Sequence, residues 1–371
     1  MNGLAAVVTV TGARKQMSEI LTTTSGGLAR ITLNRPQTLH ALTAHMCAKM
    51  LEALLAWRDD EGVRAVLLEH QPGTRGFCAG GDIRMIAESG AADGKAARDF
   101  FFTEYRLNHV LFHYPKPVIA LLDGITMGGG VGISMPARFR IATANTTYAM
   151  PETAIGLFPD VGGGWYLPRK PGAIGMWLAL TGARIKAADC MVAGIATHYM
   201  SAAKLDAARA QITGAAQSHD AERVIGSALD ALTESPGAPM ELTPENVLRI
   251  NRIFAAASVE AILAALEKDG SAWATSQIET LAMRSPQSLK VSFRQLREGA
   301  RMQSFADQMR QEFRIALRVC RRHDFLEGVR AAIVDKDNSP KWNPPTLAGV
   351  TDAIVDEIFA PLPPDEEWKA V

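Results

Sequence analysis

Cysteine is scarce. Cys47, Cys78, Cys190 and Cys320 are the only four in 371 residues, and no two form a CxxC pair. That spacing supports neither a zinc ribbon nor a disulfide framework. Unpaired thiols suit a reducing, cytosol-like compartment. Net charge is also missing: 39 Lys and Arg balance 39 Asp and Glu, so no global field draws the chain to nucleic acid or an anionic membrane. There is no uninterrupted hydrophobic run of membrane length. The longest apolar stretch, Pro117 to Ala137, contains Asp123 and Gly124, Gly128, Gly129, Gly130 and Gly132. It reads as a buried strand, a glycine turn and a helix start rather than a membrane span. The first 16 residues have no acid and hold Arg14 and Lys15, a faint transit-peptide composition. They are read as a dispensable extension ahead of Met17, with a cytoplasmic location expected and the mitochondrial matrix as the alternative.

What is present is globular. Hydrophobic residues make up 47% and charged residues 21%, which excludes bulk disorder. A chain this long builds a core without covalent staples. Glu19 to Leu33 alternates around Ser25-Gly26-Gly27 and predicts a hairpin. Thr43 is a good N-cap, followed by Met46, Met50, Leu54 and Trp57 at helical spacing. Val63 to Leu68 and Pro117 to Leu122 read as buried strands, with a turn-rich loop from Gln71 to Gly81. Helical signal runs from about Ile83 and over Ala96–His113. This alternation predicts an α/β fold with parallel strands buried on both faces. From about Ala202 the pattern is helical and Ala-rich, broken at Ser235-Pro236-Gly237. Phe305, Met309, Phe313, Leu317 and Cys320 form one helix face, and Arg310, Arg314 and Arg318 a solvated or ion-paired stripe. The expected division is an extension over 1–17, a core over 18–205 and a mainly helical region over 206–371.

Three segments carry chemistry: Gly76–Ile83, Asp123–Gly132 and Met150–Gly164. In the first two, small residues lead into helix starts. Glycine permits close backbone approach, and a free N–H at a helix start is partly positive. Two such N–H groups would hold a carbonyl and its developing oxyanion. Singly, each cluster also fits an ordinary tight turn. The third segment holds Glu152 and Asp160, eight residues apart with Gly and Pro between. A loop or short helix could put both in one pocket, where an apolar setting raises a carboxyl pKa toward acid–base use. An arbitrary pair of this kind is more often two surface acids.

Together these segments resemble the crotonase (enoyl-CoA hydratase/isomerase) superfamily. Asn34-Arg35-Pro36 with His40-Ala41-Leu42 is similar to its N-terminal pattern, and FCAGGDI and GITMGGGVG to its two oxyanion loops. The resemblance implies a spiral of ββα turns with a helical C-terminal region, an acyl-coenzyme A thioester ligand, and oxyanion donors at the N–H groups of Gly81 and Gly129. The detailed match is to the 3-hydroxyisobutyryl-CoA hydrolase branch, through PETAIGLFPDVGGG, Leu180–Arg184, Ala193–Tyr199 and Asp335–Trp342, over roughly residues 18–350. Hydratases carry a second glutamate where Gly132 stands here. The branch instead uses Glu152 and Asp160, and a substrate-contacting glutamate maps onto Glu104, otherwise an ordinary exposed helix acid.

The implied activity is thioester hydrolysis in valine breakdown, with Glu152 as nucleophile or as base for water. Asp160 would hold the substrate hydroxyl, and Glu104 would close the acyl pocket. No metal or redox cofactor is expected, nor a nucleic-acid or membrane partner, and a homo-oligomer is allowed. An enoyl-CoA isomerase or hydratase is the alternative, but an isomerase has no evident use for Asp160. An RNA-binding relative would favour a lysine-rich first helix. Thr43–Glu61 offers Lys49 and Arg58 against Glu52, Asp59, Asp60 and Glu61. Lys336 and Lys341 are candidate contacts for coenzyme A phosphates, or simply solvated surface lysines.

Overall fold

Strands in this chain are short, and their hydrophobic residues face both ways, so two sheets and a set of helices form around them. The computed structural model describes residues 18–371; the expected extension over 1–17 lies outside the described residues. Among the described residues the strands are β1 (Ile20–Ser25), β2 (Leu28–Leu33), β3 (Ala65–His70), β4 (Gly76–Cys78), β5 (Val118–Leu122), β6 (Ile125–Met127), β7 (Phe139–Ala142), β8 (Thr147–Ala149), β9 (Ile185–Lys186) and β10 (His198–Tyr199). The first four helices are α1 (Ala44–Arg58), α2 (Ile83–Gly90), α3 (Lys95–Phe112) and α4 (Gly129–Ser134).

From β3 to β8 the strands alternate between sheets. One sheet runs β1-β2-β3-β5-β7-β10 and the other β4-β6-β8-β9. Successive turns therefore place one strand in the large sheet and the next in the small one. A helix or helical turn follows, as a ββα spiral requires. β1 and β2 form the expected antiparallel hairpin, with Ser25 opposite Leu28. β2, β3, β5 and β7 are parallel.

Parallel strands lack a wet face, and β3 shows why. Val66 and Leu68 join the main core, while Ala65 and Leu67 join a second cluster. The helices Leu205–Ala215 and Ala221–Leu232 cover that second face with Ile212, Ile225 and Leu229. Thr43 caps α1 by accepting from the Met46 N–H at 3.1 Å. The main core is continuous from α1 and α3 into the C-terminal helices: Phe313, on Phe305–Val319, stacks edge-on against Tyr105 of α3. The arginine stripe on that helix is held at the surface: Arg310 pairs with Asp307, Arg314 with Glu367, and Arg318 bonds the Pro361 carbonyl.

The stretch read as a loop from Gln71 to Gly81 contains β4. A three-residue strand is too short to show a period in sequence; its pairing with β6 defines it.

Candidate active site

The two glycine segments meet because they end neighbouring strands of the small sheet. β4 delivers Ala79-Gly80-Gly81 to the start of α2, where the Asp82 side chain accepts from the Met85 N–H. β6 delivers Gly128, with φ of +47°, to the start of α4 at Gly129. The first loop is pinned on its far side. The Leu42 N–H donates to the Gly80 carbonyl at 2.8 Å, and the Asp82 N–H to the Leu42 carbonyl at 2.9 Å. Among the described residues, no protein acceptor takes the N–H of Gly81 or Gly129. A Cβ at 129 would stand 2.6 Å from Glu104 Oε1, so a larger residue there would displace the Glu104 carboxyl.

Glu104, Glu152 and Asp160 line one cavity together with Gly81 and Gly129. Its other walls are apolar, including Ile83, Ile86, Phe100, Phe101, Ile155 and Leu157. Glu152 opens a 3-10 turn, Glu152–Ile155, and Asp160 lies in the loop beyond it. Gly156, at φ of +74°, ends that turn against the backbone of Asp324. All five residues expected at the site are thus gathered. Glu104 is 2% exposed and not the exposed helix acid that it would be taken for without the family resemblance. The face of α3 that carries it also carries Phe100, Phe101, Tyr105 and Asn108. Lys336 and Lys341 do not line the cavity. They sit on an exposed loop tied by Arg330 to Asp335 and Asp337.

The electrostatics follow from burial without a cation. Among the described residues, no Lys or Arg lines the cavity. Burial, then the charge of Asp160, holds the Glu152 and Glu104 carboxyls well above the usual range. Burial pushes Asp160 up to about 7, and a hydrogen bond from the Tyr105 hydroxyl draws it partly back. That bond, to Asp160 Oδ2, is 2.9 Å and fully buried. Glu104 Oε1 and Glu152 Oε2 are buried and have no hydrogen-bond partner among the described residues. Three carboxyls at one site, each raised by burial, can accept and return a proton.

Gly132 has no room for the hydratase glutamate. A Cβ there would meet Val161 Cβ at 2.5 Å and Asn108 Nδ2 at 2.9 Å. Val161 is itself unusual, a β-branched residue at φ of +52° directly after Asp160. Such a conformation costs about 1–3 kcal/mol and persists only where its surroundings fix it. Two residues at this site were missed in the sequence. Tyr105 stands next to Glu104 and holds Asp160. Glu312, from the C-terminal region, accepts the N–H groups of Gly162 at 2.7 Å and Gly164 at 3.0 Å. Burial pushes its carboxyl up to about 8; those two bonds and one from Gln308 oppose the rise, and because every partner, Gln295 included, is a donor, the geometry favours the ionised form.

A ββα spiral with paired N–H groups and buried carboxyls over an apolar cavity defines an acyl-thioester-processing fold. Residues 28–359 match the enoyl-CoA hydratase/isomerase family, and the chain belongs to it. Its similarity to individual proteins is narrower. It is 45% identical to the mitochondrial 3-hydroxyisobutyryl-CoA hydrolase of Danio rerio, over 94% of this chain and 91% of that protein. It is 42% identical to the protein of the same name from Homo sapiens, over 93% and 89%. Among solved structures, it resembles a carnitinyl-CoA dehydratase from Mycobacterium thermoresistibile with a TM-score of 0.86 at 41% identity, covering 93% of this chain and 97% of that one. An enoyl-CoA hydratase from Rhodobacter sphaeroides 2.4.1 gives 0.84 at 36% identity, covering 95% and 100%.

Proposed function

We propose that this chain hydrolyses 3-hydroxyacyl-CoA thioesters, with 3-hydroxyisobutyryl-CoA preferred, giving 3-hydroxyisobutyrate and free coenzyme A in valine breakdown. The carrying observation is the pairing of Glu152 and Asp160 in one cavity while the space at Gly132 is closed. In this reading, the N–H groups of Gly81 and Gly129 bond the thioester oxygen and the negative charge it gains. Glu152 supplies the electron pair, attacking the carbonyl itself or deprotonating a water that does so. The C–S bond breaks, and the thiolate of coenzyme A leaves and takes up a proton; where Glu152 has attacked directly, water then cleaves the acyl–Glu152 anhydride, releasing the acid and restoring the carboxylate. Asp160, anchored by Tyr105 through one oxygen, bonds the substrate 3-hydroxyl. Glu104 closes the acyl end. No metal or redox cofactor takes part, so EDTA leaves the rate unchanged.

A hydratase reading draws on the names of those two solved relatives. It needs a second acid, and Val161 and Asn108 occupy the place where hydratases carry one. The four cysteines are buried and free, which suits a reducing compartment; the relatives' mitochondrial designation favours the matrix over the cytoplasm. Among the described residues no helix is long and apolar enough to cross a membrane.

The test is thiol release across a panel of acyl-CoAs, read beside enoyl absorbance with crotonyl-CoA. Rapid thiol release from 3-hydroxyisobutyryl-CoA, slower release from isobutyryl-CoA and no loss of enoyl absorbance are expected. Fast crotonyl-CoA hydration without thiol release from the hydroxy-thioester would overturn the proposal.

A further inference from the structure

We infer that Glu312 is a positioning residue for this reaction, aiming the Asp160 carboxylate through the backbone on either side of it. The inference rests on the assignment of Asp160 to the substrate hydroxyl. Glu312 lies about 150 residues further along the chain, on the helix Phe305–Val319, and is fully buried. Its Oε2 accepts from the Gly162 N–H, and its Oε1 from the Gly164 N–H, Gln295 Nε2 at 3.1 Å and Gln308 Nε2 at 3.0 Å. All four partners are donors, and only a carboxylate accepts from all of them.

The hub reaches both sides of Asp160. Gln295 Nε2 donates to the Pro159 carbonyl at 2.8 Å as well as to Glu312. Residues before and after the acid are therefore tied to one anion. The tie has a reason in the chain itself. Val161 sits in left-handed backbone and Gly162 follows at φ of +93°, a turn that a free loop would not hold. The glycines let the hub approach: a Cβ on Gly164 would stand 2.2 Å from Gln308 Nε2, and one on Gly299 1.9 Å from the Gly164 carbonyl. With Tyr105 on its side chain and Glu312 on its backbone, Asp160 has little freedom to turn.

The discriminating readout is substrate preference, because a loss of folded protein lowers every rate by the same factor. Glu312→Gln turns one acceptor into a donor facing other donors, loosening the turn. The ratio of kcat/KM for 3-hydroxyisobutyryl-CoA over isobutyryl-CoA should fall by at least ~10-fold, within the ~100-fold that a misplacement of about 1 Å can cost. In an Asp160→Ala background, Glu312→Gln should leave that ratio unmoved. If Glu312→Gln yields no soluble protein, Glu312→Asp, which keeps the charge but withdraws it by one methylene, is read in the same way. An unchanged ratio in a soluble Glu312 variant, or an equal further drop in the Asp160→Ala background, overturns the inference. A wild type without preference for the hydroxylated substrate overturns instead the role of Asp160, so the two failures are distinct.

Discussion

Replacing Asp160 with asparagine should stabilise the protein at alkaline pH and not at acid pH. Asp160 is 5% exposed, and its pKa rises from 3.8 to about 7 on folding, chiefly through burial. The sign follows from proton binding. Between those values the unfolded chain has released the proton and the folded chain retains it, so stability falls as pH rises through the window. At about 1.4 kcal/mol per unit, the cost of the acid is about 2 kcal/mol at pH 5 and about 4 kcal/mol at pH 8. Asparagine removes that cost, still accepts from Tyr105, and leaves a buried amide whose desolvation costs about 2 kcal/mol. The net change is then near zero at pH 5 and about 2 kcal/mol favourable at pH 8. With an unfolding entropy near 2 cal/mol/K per residue, roughly 0.8 kcal/mol/K for the chain, this is a Tm rise of about 2–3 °C. Thermal melts of both proteins at pH 5 and pH 8 decide the matter. A difference that does not change with pH, or one that favours the wild type more at pH 8, would refute the burial argument.

Glu152→Gln should keep the fold and lower turnover at least ~100-fold, the usual scale of an acid–base or nucleophilic group; thiol release by a variant with an unchanged circular dichroism spectrum checks it. The rate should rise with pH through about 7 and not through the ordinary carboxylate range, because burial holds Asp160 near 7 and Glu152 well above its usual value. Tyr105→Phe removes the bond that draws Asp160 down, so its pH–rate profile should lose activity at a higher pH than the wild type. Gly132→Glu should not create a hydratase, since the added side chain meets Val161 and Asn108; crotonyl-CoA absorbance read beside soluble yield tests this, and efficient hydration would show that the space can open.

Legibility in the sequence followed the length of the local signal. The β1–β2 hairpin, the Thr43 cap and the apolar face of α1 repeat over enough residues to be read. β4, β6, β8, β9 and β10 have two or three residues each, and only partner strands define them. The glycine segments suggested donors, but only the structure shows Gly81 and Gly129 lining one cavity with Glu152 and Asp160. Glu152 and Asp160 were legible through the resemblance. Glu104 and Glu312 share a signal that was overlooked: an acid on the apolar face of a helix. Glu104 falls among Phe100, Phe101 and Tyr105, and Glu312 between Met309 and Phe313. A carboxylate at such a position needs a partner or a task. Tyr105 had no comparable mark, because a buried tyrosine beside phenylalanines reads as core.

The bonds from Glu312 to Gly162 and Gly164 also set a clock. A ribosome completes the chain from the amino terminus at about 5–20 residues per second. The loop bearing Asp160 is therefore made roughly 8–30 s before the side chain that fixes it, by the same rate. During that interval the nascent chain has its glycine loops and Glu152, but not the carboxylate that holds the Asp160 turn. Competence to process a thioester arrives with the last helices, so a chain released early through truncated translation lacks an ordered pocket even when its ββα turns are complete.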